Sequence, residues 1–202
     1  MTFYLLVGNI RNMNNNTLDQ ILDTAQRLVQ TLGFNAFSYA DISKEVGIRK
    51  ASIHYHFPNK ADLGEALVGR YHNNFTTALK QIDAQIPDDL EKLRQFTTLY
   101  KAGPLQDFRL CLGVMYSTDY ITLPERVQDK LTGYFSTNLT WLEQVMNHGL
   151  MAGTITFKGS AKAQALKFLA ALQGAQLLAR SFKDIEKFEE IAEELITALA
   201  KN

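Results

Sequence analysis

Apolar residues recur along this chain with the spacing of α-helices. Thr17 and Gln20 have the spacing of a capping box, and Gly33 ends the first periodic stretch. The apolar stripe of this stretch consists of Leu18, Ile21, Leu22, Ala25, Leu28, Val29 and Leu32. The same periodicity predicts further helices over residues 59–82, 88–100, 124–148, 160–182 and 185–199. Residues 154–157 have the composition of a short strand, but one isolated strand cannot build a sheet.

One further helical segment is predicted between these helices, and glycine and proline residues mark where helices begin or end. Residues 108–120 are apolar on most faces, which is typical of a central helix in a bundle. Gly103 and Pro104 break the chain before this segment. Pro124 suits the first turn of a long helix with Phe135 on its buried side, and Gly149 and Gly153 are expected to end it.

Residues 38–60 have the pattern of two short helices joined at Gly47. Ser38 can cap the first helix. The carboxylate of Asp41, three residues later, interacts favourably with the positive amino-terminal end of the helix dipole. Gly47 allows a sharp turn between the two helices, because glycine adopts backbone conformations that are unfavourable for residues with a Cβ. A second helix over residues 49–56 completes the arrangement expected of a DNA-reading helix-turn-helix.

The second short helix carries the residues expected to face DNA. Ala51 and Ile53 are predicted to point inward. The residues left to face a groove are Lys50, Ser52 and either His54 or Tyr55. Between residues 47 and 60 the charged side chains are all basic, which favours phosphate. Alternatively, this segment is a solvated helix pair of an ordinary bundle, in which Tyr55, His56 and Phe57 merely pack.

Residues 47–60, GIRKASIHYHFPNK, together with the preceding helix and the link at 33–38, resemble the amino-terminal domain of TetR/AcrR-family transcriptional regulators. The resemblance runs without gaps over residues 17–71. It implies that Ser38 and Tyr39 contact phosphate, that Lys50 and Ser52 face the major groove, and that Lys60 contacts phosphate. The DNA-binding residues predicted in this way are Ser38, Tyr39, Arg49, Lys50, Ala51, Ser52, His54, Tyr55, His56 and Lys60.

Two positions depart from the family pattern. Arg49 stands where the family usually has a small capping residue, so it could bind phosphate or a base edge instead. His54 stands where a tyrosine often contacts the DNA backbone, a contact that Tyr55 could take over.

Composition narrows the class of protein. The chain has 202 residues, 46% of them hydrophobic and 21% charged, as in ordinary globular proteins. A net charge of +0 argues against a protein that coats nucleic acid without specificity. The apolar run at residues 3–7 is too short to span a membrane, so no membrane partner is expected. Cys111 is the only cysteine, which excludes an internal disulfide and suits a reducing, cytoplasmic setting.

Three segments are predicted from these features. Residues 1–16 form a flexible arm or a start-site extension, with Met13 as a possible true start. Residues 17–62 form the helix-turn-helix domain, and residues 63–202 form a helical regulatory and dimerisation domain. The predicted fold is therefore all-α, a three-helix DNA-binding head joined to a larger helical ligand-binding and dimerisation bundle.

The last two helices carry more apolar surface than one chain can cover, which predicts a homodimer. The predicted interface residues are Leu166, Leu169, Ala170, Leu177, Ile185, Phe188 and Leu195. The alternative is that these stripes are internal core only. The family resemblance implies a four-helix interface, and a dimer would place two reading helices in successive major grooves of a palindromic operator.

Aromatic and soft side chains on three successive helices indicate a small-molecule pocket, since bundles often bind ligands between helices. The predicted residues are Phe96, Tyr100, Phe108, Cys111, Met115, Tyr116, Tyr120 and Trp141. Alternatively these residues are simple core. The resemblance implies that an effector bound there moves the two heads apart and releases DNA.

The leading prediction is a DNA-binding repressor that responds to a small molecule. The alternative is a helical small-molecule-binding or thiol-sensing protein without operator binding. Uncharged neighbours of Cys111 favour an inert thiol, although Arg109 could oppose this. The four histidines lack the spacing of a metal site, and no motif of catalysis or nucleotide binding is present. We therefore expect no enzymatic activity, no metal and no cofactor.

Overall fold

The computed structural model describes residues 17–101 and 105–201. Within these ranges the regular structure is helical, as predicted. The α-helices are α1 (Thr17–Leu32), α2 (Tyr39–Val46), α3 (Lys50–His56), α4 (Lys60–Gln85), α5 (Asp89–Lys101), α6 (Leu112–Thr118), α7 (Glu125–Ala152), α8 (Ala161–Phe182) and α9 (Glu186–Thr197). The arm predicted at residues 1–16 and the break at Gly103 and Pro104 lie outside the described residues.

Helices α1 to α3 form the head, and local chemistry sets their ends. The Ser38 hydroxyl caps α2, and the Asp41 carboxylate accepts the Ser38 backbone N–H at 2.8 Å. Gly47 ends α2 with a left-handed φ of 75°. Buried Ile42 and Ile53 anchor α2 and α3 in the head's core. These features confirm the predicted helix-turn-helix.

Helix α4 leaves the head and becomes part of the larger bundle. Asn59 caps it through a bond from the Asp62 N–H at 3.0 Å, and the helix runs to Gln85, three residues past its predicted end. Helix α7 packs against both α4 and α8, so it forms the centre of the bundle. Helices α5 and α9 pack against each other beside it.

Helix α7 continues to Ala152, past its predicted end near His148, and stops at Gly153, one of the two predicted glycines, whose φ is 72°. Gly149 stays helical and buried because its missing side chain makes room for Ile155, which a Cβ would approach to 2.9 Å. Tyr134 is fully buried on α7, while the predicted Phe135 is half-buried and packs against the core.

Two predicted elements are shorter than expected. Helix α6 covers Leu112–Thr118 rather than residues 108–120, because Phe108 has a φ of 54° and the Leu110 N–H bonds to the Gln30 carbonyl of α1 at 3.1 Å. The strand-like segment forms a single antiparallel bridge between Ile155 and Ala200. None of the described helices has the length and apolar character needed to cross a membrane.

Candidate nucleic-acid interface

Helix α3 presents its polar surface outward. Arg49, Lys50 and His54 are exposed, and Tyr55 is 83% exposed. Ala51 is exposed, contrary to the inward orientation predicted for it. Residues two apart on a helix diverge by about 200°, so Ala51 cannot share the buried face of Ile53. Because the Ala51 side chain is small, a binding partner can approach the α3 backbone closely at this position.

The exposed cations of this surface are not neutralised by neighbouring acids. In the described part of the chain, neither Arg49 nor Lys50 forms an ion pair. Arg49 precedes α3 without making a side-chain cap, as its departure from the family pattern predicts. Arg27, on α1, is paired with Glu45 of α2 and so is less available. Unpaired cations beside an accessible helix suit contact with phosphate.

Tyr39 and His54 have polar partners within the head. The Tyr39 hydroxyl donates to the carbonyls of Phe57 at 2.9 Å and Asn59 at 2.7 Å. Burial, with a contribution from Asp62, raises the pKa of Tyr39 to about 12. Nδ1 of His54 lies 3.2 Å from the Pro58 carbonyl, and its ring contacts the Tyr39 ring at 4.8 Å. Both side chains therefore hold the end of α3 against the start of α4.

Lys60 also interacts inside the head. Its ammonium binds the Phe37 carbonyl and lies 4.3 Å from the centre of the Phe37 ring and 4.8 Å from that of Phe34. Burial lowers the pKa of Lys60, while Asp119 and Asp41 oppose this effect. The ammonium predicted to contact phosphate is thus engaged by the protein itself, unlike that of exposed Lys50.

The remaining predicted contacts lie at the edges of this surface. Ser38 is exposed at the start of α2, but its hydroxyl also donates to Asp41 at 2.7 Å. Ser52 and His56 are half-buried on α3. Exposed Arg49, Lys50, Ala51 and Tyr55, with half-buried Ser52 at their edge, lie at the start and on the outward side of α3, and these five residues are named here the reading surface.

Several contacts join the head to the bundle. The Asp119 carboxylate, just after α6, accepts the backbone N–H groups of Phe34 at 2.7 Å and Asn35 at 3.2 Å. Arg180 of α8 donates to the Thr31 carbonyl at 2.7 Å. Arg126 of α7 donates to Asn59 Oδ1 at 3.0 Å, at the start of α4. Sequence reasoning missed these contacts because their partners are far apart along the chain.

The predicted pocket residues divide into three groups. Phe96, Tyr100, Cys111 and Trp141 are buried in one aromatic cluster, in which the Phe96 and Trp141 rings stack with centres 5.5 Å apart. The sequence analysis missed Tyr71, Phe75 and Tyr134 as members of this cluster. Met115 and Tyr116 are buried nearer the head, where Tyr116 contacts the Phe34 ring at 5.1 Å. Phe108 is half-buried, and Tyr120 is exposed outside the cluster.

Cys111 is buried, and its Sγ lies 3.4 Å from the Tyr71 hydroxyl and 3.5 Å from that of Tyr134. Arg109 forms an ion pair with Asp107 at 2.8 Å. On the outside of the bundle, Trp141 also lines a groove of about 380 Å³ between α4 and α7, where its Nε1–H donates to Asp83 at 2.8 Å. The described residues contain no cluster of three His, Cys, Asp or Glu side chains able to hold a metal ion.

The predicted dimer residues do not share one surface. Leu166, Ala170 and Leu177 are exposed on α8, while Leu169 and Phe188 are buried within the chain. Ile185 and Leu195 are half-buried. Leu169 follows buried Phe168 and turns toward the bundle core, so it is not available to a partner. The exposed α8 face also includes two residues that the prediction omitted, Leu178 and Phe182.

Comparison with known proteins identifies the family. The profile described as "Bacterial regulatory proteins, tetR family" matches residues 21–67. A TetR-family transcriptional regulator from Agrobacterium tumefaciens is 34% identical, with a TM-score of 0.86 over 91% of this chain and 97% of that one. A TetR regulator from Legionella pneumophila is 29% identical, with a TM-score of 0.84 over 92% and 98% of the two chains.

Two named relatives extend the comparison. The HTH-type transcriptional repressor NemR of Escherichia coli K12 is 23% identical over 89% of this chain and 92% of its own. The nucleoid occlusion factor SlmA of Vibrio campbellii is 25% identical over 79% of this chain and 82% of its own. With a helix-turn-helix head and a full-length regulator that is 34% identical, this chain belongs to the TetR family of DNA-binding transcriptional regulators.

Proposed function

We propose that the protein is a repressor that binds a palindromic operator as a homodimer and releases it when a small molecule binds in the bundle. The observation that carries this proposal is the reading surface, on a head that Asp119 ties to the bundle. The naming of the relative NemR as a repressor supports the direction of control. Operator binding places this action in the compartment that holds the chromosome, the cytoplasm.

The reading surface has the chemistry of a groove-binding helix. Lys50 can bond to the acceptor atoms of guanine, and the Ser52 hydroxyl can bond to either a donor or an acceptor on a base edge. Arg49 and Tyr55, which border these residues, are exposed and suit contact with phosphate. The small side chain of Ala51 allows the helix to approach the base edges closely.

The exposed face of α8 supports dimerisation. Leu166, Leu177, Leu178 and Phe182 are each at least 44% exposed on this single helix. A patch of large exposed apolar side chains on one helix marks a protein-binding surface. A second copy of the chain, related by two-fold symmetry, would cover the patch with its own α8. Two heads would then contact two half-sites about one helical turn apart, about 34–36 Å.

The position of α6 suggests how an effector would act on the head. Cys111, in the aromatic cluster, immediately precedes α6, and Asp119 immediately follows the helix and holds the Phe34 N–H. A molecule that displaces residues of the cluster would therefore move a short helix whose other end is bonded to the head. Such a displacement changes the separation of the two reading surfaces and favours the state that does not bind DNA.

Fluorescence anisotropy tests this function with the full-length protein, labelled DNA from immediately upstream of its own gene and a scrambled duplex of equal length. We expect sequence-dependent binding by a dimer, with affinity that falls steeply as salt rises. Binding that does not distinguish the two duplexes, followed by failure to select any sequence from a random pool, would contradict the proposal. It would favour the alternative of a ligand-binding or thiol-sensing protein without an operator.

A further inference from the structure

Five polar side chains converge inside the bundle. They are Tyr71 of α4, Tyr100 of α5, Cys111 before α6, and Tyr134 and Asn138 of α7, named here the tyrosine chamber. Each is at least nine-tenths buried, and Asn138 is 0% exposed. The rings packed around them are aromatic, since Phe75 contacts Tyr100 and Tyr134 and Phe96 contacts Tyr100. Four segments of the chain thus supply hydrogen-bonding groups to one apolar interior.

The contact between the Tyr100 and Tyr134 hydroxyls is long. Their oxygens are 3.5 Å apart, whereas a good bond between two hydroxyls is about 2.7–2.8 Å. Cys111 Sγ has closer partners for its type, because it accepts the Tyr71 hydroxyl at 3.4 Å and lies 3.5 Å from that of Tyr134. The Tyr100 and Tyr134 hydroxyls therefore bond each other only weakly.

Asn138 gives the strongest evidence for a missing partner. Its amide lies beside the Tyr100 hydroxyl and opposes the rise that burial causes in the pKa of that tyrosine, but among the described residues neither its Oδ1 nor its Nδ2 makes a hydrogen bond of good geometry. Buried amides are almost always bonded, because leaving one unpaired costs free energy. Gln176 provides a comparison in the same interior: its Oε1 accepts from the Cys111 N–H at 3.1 Å and its Nε2 donates to the Tyr100 carbonyl at 2.7 Å. The Gln176 amide therefore links two segments of the bundle, while the Asn138 amide is available to bond a ligand.

The chamber is uncharged. Burial raises the pKa of Tyr100 well above its usual range, Cys111 adds to this, and Tyr134 and Asn138 oppose it. Burial likewise raises the pKa of Tyr134, with contributions from Cys111, Tyr100 and Tyr71. No carboxylate or amine contributes to either effect. His72, whose ring centre is 6.1 Å from that of Tyr134, bonds to Thr137, and burial followed by Lys130 lowers its pKa. A charged guest would find no counter-ion here, so the chamber favours a neutral one.

We propose that the tyrosine chamber binds a small neutral molecule in which a carbonyl or hydroxyl group adjoins an aromatic or apolar body. The Asn138 amide and the Tyr100 and Tyr134 hydroxyls bond its oxygen, and Phe75, Phe96 and Trp141 surround its body. This inference rests on the proposed function, because it names the chemical class of the effector. Carbonyl and hydroxyl ligands match the mixed donor and acceptor capacity of an amide and phenols.

The only tryptophan of the chain provides the reporter, because Trp141 stacks on Phe96 at the wall of the chamber. Full-length protein without DNA is titrated with benzamide and benzyl alcohol, and with benzoate and benzylammonium as charged probes of similar size. We expect the two neutral probes to change Trp141 fluorescence in a saturable way and to raise Tm, and the two charged probes to bind more weakly. Equal binding of charged and neutral probes, or no binding of either neutral probe at millimolar concentration, would overturn the proposal.

Variants locate the bound probe. Asn138→Leu and Tyr100→Phe should each weaken binding of benzamide roughly tenfold, since each removes one hydrogen bond from a buried site. Tyr100→Phe keeps the ring and serves if Asn138→Leu does not fold. Gln144→Leu removes an exposed amide in the outer groove that Trp141 also lines. Loss of binding in this variant alone would place the probe in the groove and overturn the proposal.

Operator binding, measured in parallel by anisotropy, separates this inference from the proposed function. Sequence-specific DNA binding without neutral-probe binding would refute the chamber and leave the regulator intact. Neutral-probe binding that Asn138→Leu weakens, in a protein that binds no specific DNA, would support the chamber and refute the repressor.

Discussion

The Asp119 carboxylate accepts the backbone N–H of Phe34 at 2.7 Å, although the two residues are 85 positions apart. The bond joins the end of α6 to the turn between α1 and α2, so the bundle holds the head through a charged acceptor. Asn35 strengthens the junction, because its N–H also reaches Asp119 and its side chain donates to Thr122 at 2.7 Å. These bonds connect the segment after α6 directly to the turn that precedes α2.

Replacing Asp119 by Ala should loosen this junction. We expect the free energy of unfolding to fall by about 1–2 kcal/mol, since two backbone donors lose a charged acceptor. The amides of Phe34 and Asn35 should also exchange with deuterium faster than in the wild type. Asp129→Ala, at an exposed position on α7, is the control and should change neither quantity. Unchanged exchange at both amides would show that Asp119 does not hold the head.

Substitutions on the reading surface should separate affinity from base selection. Lys50→Ala and Ser52→Ala should reduce the preference for the operator over single-base variants by about 1–3 kcal/mol at the affected position. Arg49→Ala should weaken binding to all duplexes alike and reduce the slope of log affinity against log salt by about 1. Competition anisotropy across a salt series measures both effects. Uniform loss from all three variants would contradict these roles.

For Lys60, the structure predicts an effect of substitution on stability that the sequence alone does not predict. The sequence predicts that Lys60→Ala weakens binding to all DNA alike, through a lost phosphate contact. Because the ammonium binds the Phe37 carbonyl between two aromatic rings, we expect this variant to destabilise the head as well. Thermal unfolding followed by circular dichroism should show a lower Tm for Lys60→Ala than for Lys50→Ala. Equal Tm values would favour a role in phosphate binding alone.

The capping box formed by Ser38 and Asp41 should make the stability of α2 depend on pH in the acidic range. The Ser38 hydroxyl, followed by the Ser38 backbone N–H, lowers the pKa of Asp41, although slight burial opposes this. A lowered pKa in the folded state means that the stabilisation is present above the unfolded value of about 3.9 and is lost as pH falls through the folded pKa. Urea unfolding from about pH 5 to about pH 2 should therefore show a smaller loss for Asp41→Asn than for the wild type. A carboxyl NMR titration that gives Asp41 an ordinary pKa would contradict this.

Disrupting the exposed face of α8 should yield monomers. Leu177→Glu would place a charge within the exposed apolar patch of α8, where desolvation is costly. Sedimentation velocity should show a monomer for this variant and a dimer for the wild type. Ile121→Glu makes the same change at a residue that is 95% exposed near the head, and this control should remain dimeric. A dimeric Leu177→Glu protein would place the interface elsewhere.

Local chemistry made much of the fold predictable from sequence. The caps at Ser38, Asn59 and Ser160 mark the starts of α2, α4 and α8 because each involves residues only a few positions apart. Periodicity likewise located α1, whose buried residues include Ile21, Leu22, Ala25, Leu28 and Val29 of the predicted stripe. Caps and apolar periodicity depend only on residues close together in the chain, so the sequence alone is enough to recognise them.

Features that depend on packing between distant segments were not predictable. Helix α7 is buried against several neighbours, so Tyr134 and Asn138 face inward beside the expected apolar residues. A polar residue such as Asn138 carries no apolar signal, and its burial appears only in the assembled bundle. The inward engagement of Lys60 and the link from Asp119 to Phe34 likewise arise from tertiary structure. The domain limits at 62 and 63 remain predictions.

Operator reading by α3 is tested most directly by selection of DNA by the full-length protein from a random-sequence duplex library, followed by sequencing of the bound fraction. We expect enrichment of a two-fold symmetric motif whose half-sites lie about one helical turn apart, with base preferences that weaken for Ser52→Ala. Enrichment of no motif, or of one whose preferences are identical for wild type and Ser52→Ala, would contradict the claim that α3 reads an operator.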